Sequence, residues 1–301
     1  MDFSLTAREW LARSIGAGAY ELSLKRMKGS TSSSVYLVER ADGSQCDRYV
    51  LRVLDNAQWL AEEPDLAAHE AAALQEAQAA GLRAPRLVTY AAENAGFGAP
   101  VVLMSFLSGE IQLRPTDFKG WLNGLAVELA AIHRHTAPAF GWRFRSWTHR
   151  TQLRTPAWTA RPRAWERAIT LVLGNEPAVV PVFIHRDYHP TNVLWTQDHV
   201  SGVVDWINAC RGPAGADVAH CRTNLVQMFG SDVADQFLRA YCAVADGFTY
   251  NPYWDVDSLL DCCFPQPTYY PPWRDFGLDD IPPQVLYQRV DAYLERLMAN
   301  V

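Results

Sequence analysis

The six cysteines of this 301-residue chain, at 46, 210, 221, 242, 262 and 263, include no C-x-x-C pair. That scatter suits free thiols in a reducing compartment better than a disulfide frame. A zinc hydrolase built on His220, Cys221, Cys262 and Cys263 is disfavoured for the same reason, because the spacings fit no zinc-ligand pattern. No apolar run approaches the ~20 residues needed to cross a bilayer, so no membrane partner is expected. There is no basic excess either. The formal net charge of −6 argues against nucleic acid, which requires a basic face. Met1-Asp2-Phe3-Ser4-Leu5 carries neither a basic n-region nor an apolar h-region, so the expected location is the cytoplasm. Repeats and low-complexity tracts are also missing. What remains is an ordinary globular composition, 49% hydrophobic and 20% charged. The length suffices for one large or two smaller domains, in a monomer or a homodimer.

The pattern changes character about a third of the way along. Residues 33–38 and 49–54 are β-type runs, with Ala41-Asp42-Gly43-Ser44 as the turn between them. Pro64 opens an Ala-rich helix over 65–80 that Gly81 ends. A short strand at 101–104 is broken by Ser108-Gly109-Glu110. Beyond it, 117–135, 164–173, 217–228, 232–245 and 283–298 carry apolar residues at helical steps. The expectation is an α+β chain in two lobes. The smaller, strand-rich lobe spans 1–107 and the larger, mostly helical lobe spans 108–301.

Chemistry concentrates in the second lobe. His185-Arg186-Asp187-Tyr188-His189-Pro190-Thr191-Asn192 spells H-R-D-x-x-x-x-N, flanked by the apolar runs 179–184 and 193–195. Asp205 follows inside Gly202-Val203-Val204-Asp205-Trp206. This is what phosphoryl transfer from a nucleoside triphosphate requires: one carboxylate on the attacking hydroxyl, and an amide plus a second carboxylate on magnesium. Asp187 is the expected catalytic residue, Asn192 and Asp205 the expected metal ligands. An unpaired carboxylate in an apolar run such as that of Asp205 is costly to bury, and a bound cation removes the penalty. His185 reads as structural, His189 as loop packing, and Arg186 has no assigned role.

With these parts in order, the chain resembles the aminoglycoside phosphotransferase family, whose members share the two-lobed fold of protein kinases. The resemblance covers nearly the whole chain. It rests on the catalytic loop, on Asp205, on Leu129-Ala130-Ala131-Ile132-His133, and on Gly212-Pro213-Ala214-Gly215-Ala216-Asp217-Val218-Ala219. It implies a small-molecule kinase using ATP, with GTP left open, and Mg2+. A protein kinase is disfavoured, since Trp206-Ile207 replaces Phe-Gly after Asp205 and no A-P-E element follows.

The resemblance also implies a nucleotide grip. Arg52 stands where a kinase strand carries lysine, and Glu70 is placed on the neighbouring helix to pair with it. Arginine is not a neutral replacement, and an edge-strand arginine with a solvated glutamate reads the same way. Ser30, in Lys28-Gly29-Ser30-Thr31-Ser32, sits where a phosphate-covering loop belongs. The backbones of Ser105 and Leu107 are the expected adenine contacts, with Met104 lining the pocket. For the acceptor, Asp255, Asp257 and Asp261 lie in a stretch from 251 to 280 with six aspartates, one arginine and interleaved aromatics. Such a stretch suits a cationic acceptor such as an aminoglycoside, or is simply solvated surface. Choline, homoserine, macrolide and other antibiotic kinases of this fold stay open, as does a silent nucleotide-binding member.

Overall fold

The computed structural model describes residues 3–16, 18, 22–28, 32–42 and 45–299. The chain divides into two compact units, Met1–Gly109 with Ser201–Ala209, and Glu110–Val200 with Cys210–Val301. The first unit therefore takes back a short downstream segment that contains Asp205.

In the first unit, α1 (Leu5–Ile15) is capped by Ser4, whose Oγ accepts the Ala7 N–H, and stops at Gly16 in the left-handed region. The strands are β1 (Leu22–Arg26), β2 (Ser34–Asp42) and β3 (Gln45–Val53), followed by helices α2 (Ala57–Glu62) and α3 (Leu66–Ala79) and strands β4 (Leu87–Ala91) and β5 (Val101–Ser105). The antiparallel sheet has the order β1-β2-β3-β5-β4. Inward-facing Val38, Leu51, Val101 and Leu103 pack with Leu11 and Ile15 of α1 into one core. The sequence pattern marks only α3; α1 and α2 are additional, and the Ser4 and Gly16 caps are the local sign of α1.

The returning segment 201–209 is pinned from several sides. Val203 N–H donates to Arg83 O at 2.7 Å, and His69 Nε2–H donates to Ala209 O at 2.6 Å. A Cβ on Gly202 would lie 2.5 Å from Leu107 Cδ1 and 3.2 Å from Arg83 O, so the absence of a side chain here lets the segment lie close to both.

The second unit begins with β6 (Glu110–Ile111), α4 (Phe118–His133) and α5 (Pro162–Leu173), then β7 (Val182–Ile184), β8 (Val193–Thr196), the start of β9 (His199–Val203) and β10 (Cys210–Gly212). Helices α6 (Ala214–Phe229), α7 (Ser231–Val244), α8 (Pro252–Cys263), the single turn α9 (Pro272–Asp275) and α10 (Pro283–Met298) complete it. Strands β7 and β10 pair antiparallel, Ile184 opposite Cys210. Helix α8, in the acidic stretch, was not legible as a helix. Asn251 caps it and Pro252 opens it, and Tyr253, Trp254, Val256, Leu259, Leu260 and Cys263 are buried along it.

Candidate active site

In the second unit, the loop after β7 is held by a single carboxylate. Asp217, fully buried in the first turn of α6, accepts the His185 N–H and the Arg186 N–H, both at 2.7 Å. Its Oδ2 is also 3.1 Å from His133 Nε2. Burial pushes Asp217 upward, but these bonds and the nearby histidines hold it below the ordinary carboxylate range. The clamp explains how Arg186 keeps φ at +70°, a conformation that costs about 1–3 kcal/mol unless its surroundings impose it. The Arg186 guanidinium lies 3.6 Å above the Trp147 ring and 4.7 Å from Phe144. Tyr188 donates to Leu125 O at 2.9 Å, which ties the loop to α4.

These anchors present Asp187, whose side chain stays a quarter exposed. Its Oδ1 is 3.0 Å from His220 Nε2 and 3.5 Å from His189 Nε2. Burial opposes ionisation of Asp187, but His189, His220 and His185 outweigh it and hold the carboxyl well below the usual range. Asn192, in the turn Pro190–Asn192, donates from Nδ2 to Asp187 O at 2.9 Å. That fixes the amide orientation and leaves Asn192 Oδ1 with no hydrogen bond among the described residues. A rigid carboxylate beside an amide oxygen is an arrangement for orienting a hydroxyl and holding a hard cation.

A family model described as the phosphotransferase enzyme family matches residues 23–254. The chain belongs to that family. Homoserine kinase from Brucella anthropi is 30% identical over 167 residues, which is 51% of this chain and 44% of that protein. The match thus spans less than half the length of that curated relative. A candidate aminoglycoside phosphotransferase from Ralstonia eutropha superposes with a TM-score of 0.66 at 14% identity, over 99% of this chain and 98% of the other. A thermostable mutant of aminoglycoside phosphotransferase APH(4)-Ia, in ternary complex with ADP and hygromycin B, gives 0.61 at 18% identity over 96% and 97%. These structural likenesses show the fold, the α+β class expected from the sequence with a sheet-bearing first part and a helical second part.

Against that family background, the remaining expected residues fall into distinct places. In the first unit, Arg52 sits on the central strand β3, opposite Val35 and Val102, not at a sheet edge. Its Nε is 3.2 Å from Glu70 Oε2 and its Nη1 is 2.8 Å from Asp205 Oδ1. Glu70 is fully buried rather than solvated. Burial raises it to about 7, Arg52 working against the rise and Asp205 adding to it. Asp205 is not an unpaired carboxylate: Arg52 supplies its counter-charge, and its side chain is 31% exposed. Its backbone is left-handed, with φ +69°. Ser30 lies outside the described residues. Ser105 ends β5, and its N–H already donates to Arg86 O at 2.8 Å. Leu107 makes no backbone hydrogen bond among the described residues.

The three acceptor candidates separate in the second unit. Asp255 is 1% exposed and serves an internal network: Arg222 and Tyr250 bond its Oδ2, and Tyr293 donates to Oδ1 at 2.7 Å. Both of its oxygens are thus engaged inside the protein, away from solvent. Asp257 is buried, with Oδ1 accepting from Ser146 Oγ at 2.8 Å. Asp261 differs from both. It accepts no hydrogen bond and makes no ion pair among the described residues, and it lines a cavity of about 190 Å³ with Trp147, His149, Arg154 and Phe264. Burial raises its carboxyl, with Arg186 and His220 working against that rise.

His220 was missed as a site residue. The sequence offers it only as a zinc ligand beside cysteines, yet Cys221 and Cys263 are buried thiols raised by burial. The readable sign was its position one turn after Asp217 on α6, the helix that clamps the loop.

Proposed function

We propose that the protein is an ATP-dependent O-phosphotransferase that moves the γ-phosphate to a hydroxyl of a small cationic molecule such as an aminoglycoside. The observation that carries this reading is the anchored Asp187, with Oδ1 bonded by His220 and its backbone fixed through Asp217, Tyr188 and Asn192. A carboxylate held below its ordinary range is a weak base toward a free alcohol. Its work is to aim the hydroxyl and to take the proton late, as the bond to phosphorus forms. Asn192 Oδ1 and Asp205 Oδ2, neither engaged by a described internal hydrogen bond, are hard oxygen donors of the kind magnesium takes. When bound, that ion neutralises phosphate charge. Arg52, whose guanidinium fork spans Glu70 and Asp205, is a fixed cation of the kind that binds phosphate oxygens. Asp261, which accepts no hydrogen bond among the described residues and shares its cavity with Trp147, Phe264, His149 and Arg154, supports an acceptor with an ammonium group.

A nucleoside-diphosphate release screen over aminoglycosides, choline, homoserine, macrolides and peptide antibiotics tests the reading. We expect magnesium-dependent turnover on an amine-bearing acceptor. Asp187→Asn should cut it about 10²–10⁴-fold with nucleotide affinity nearly intact. Nucleotide binding without turnover on any acceptor would sink the proposal in favour of a silent binding protein.

A further inference from the structure

We propose that Asp187, His189 and His220 form a binding site for a divalent transition ion of the zinc or cobalt class, with donors distinct from those assigned to magnesium. One carboxylate oxygen and two imidazole nitrogens converge here, all within 4.8 Å of one another. The two distances from Asp187 Oδ1, 3.0 and 3.5 Å, match the separation of about 3.0–3.5 Å that ligands have when each lies ~2.0–2.2 Å from one ion. Two imidazoles select a borderline ion over magnesium, which prefers oxygen.

The hydrogen bonds around His189 point the same way. Asn192 Nδ2 must be a donor, because it bonds the carbonyl of Asp187. It also lies 3.2 Å from His189 Nε2, so in the neutral ring that nitrogen carries the lone pair. In that neutral tautomer His189 Nδ1 donates to Thr191 Oγ1 at 2.6 Å. The Thr191 hydroxyl at Nδ1 holds this ring in place, as an outer-shell partner does for a metal-ligating histidine, and an ion bound at Nε2 would displace the Asn192 N–H. At His220, Nε2–H donates to Asp187 in the metal-free protein. On binding, that proton moves to Nδ1, where Cys262 Sγ lies 3.8 Å away. Three protein ligands leave a fourth position to water. An ion so placed withdraws Asp187 Oδ1 and fixes the carboxylate, so zinc should inhibit phosphotransfer. The inhibition rests on the kinase reading; the binding does not.

Titrating the full chain with Co2+ in magnesium-free buffer should produce ligand-field bands in the visible, displaced by Zn2+. His220→Gln and His189→Gln should each abolish them or raise the dissociation constant at least tenfold. Thr191→Val keeps all three donors and should weaken binding about 10- to 100-fold. The bands should survive Cys46→Ser and Cys242→Ser, at the exposed thiols. Absence of bands in the wild type, or bands unchanged in both histidine variants, overturns the proposal. Circular dichroism checks folding, and if one histidine variant fails to fold the other decides. Co2+ binding by a chain with no turnover leaves this site standing and the kinase reading fallen; turnover without Co2+ binding does the reverse.

Discussion

Arg52 holds two carboxylates at once, Glu70 at 3.2 Å and Asp205 at 2.8 Å. As a letter in the kinase lysine position it is a departure; as a side chain it bridges Glu70 and Asp205. Arg52→Lys should keep the fold, lose the planar fork, and raise the apparent KM for ATP with a smaller effect on turnover. Arg52→Ala would leave Glu70 buried without its counter-charge. Breaking such a pair costs about 3–5 kcal/mol when the remaining charge cannot escape. Glu70 already sits at about 7, so it can take up a proton and blunt that cost. The same value sets a pH dependence. Folded Glu70 holds its proton more tightly than the unfolded chain does, where the ordinary value is 4.5. The stability it contributes is therefore complete below about 4.5 and is lost as pH rises through about 7. Denaturant melts at pH 5 and pH 7.5 should show Glu70→Gln gaining on the wild type at the higher pH. An equal difference at both would refute the assignment.

Among the elements, α6 matters most for the site, because it carries Asp217 and His220. Asp217→Asn presents an amide N–H where two backbone N–H groups need acceptors. Leaving buried donors unsatisfied costs about 1–3 kcal/mol each, and turnover should fall along with stability because the Arg186 backbone loses its restraint. Two residues earlier, Gly215 lies against the Trp254 ring, where a Cβ would collide with ring carbons. Gly215→Ala should destabilise by about 1–3 kcal/mol through overpacking. A denaturant midpoint unchanged from wild type would count against that packing. The segment carrying Asp205 shows the complementary point. Its apolar residues were visible, but its attachment to the first unit depends on His69, Arg83 and Gly202, which no local pattern announces.

For the whole molecule, the testable quantity is linkage between ligand and stability. Mg-ATP present at 100 times its dissociation constant should stabilise the chain by about 2.7 kcal/mol. Asn192→Ala and Asp205→Asn should remove most of that gain while changing the ligand-free melting point less. A full ligand shift in both variants would reject their metal role. The net charge of −6 is compatible with a cationic acceptor at this scale, but the acidic stretch is not one uniform surface. Asp255 belongs to the Arg222 network and Asp261 to a cavity, a distinction composition cannot draw.

The spacing from His185 to Asn192, the alternation around β3 and the helical periodicities were determined along the chain, because motif and period are local properties that each segment carries with it. Folding alone decided which partner each charged group received. His220 reached Asp187, Asp217 took two backbone N–H groups, and Arg52 took two carboxylates, since hydrogen bonds and ion pairs form between atoms brought near by packing, whatever their distance in sequence.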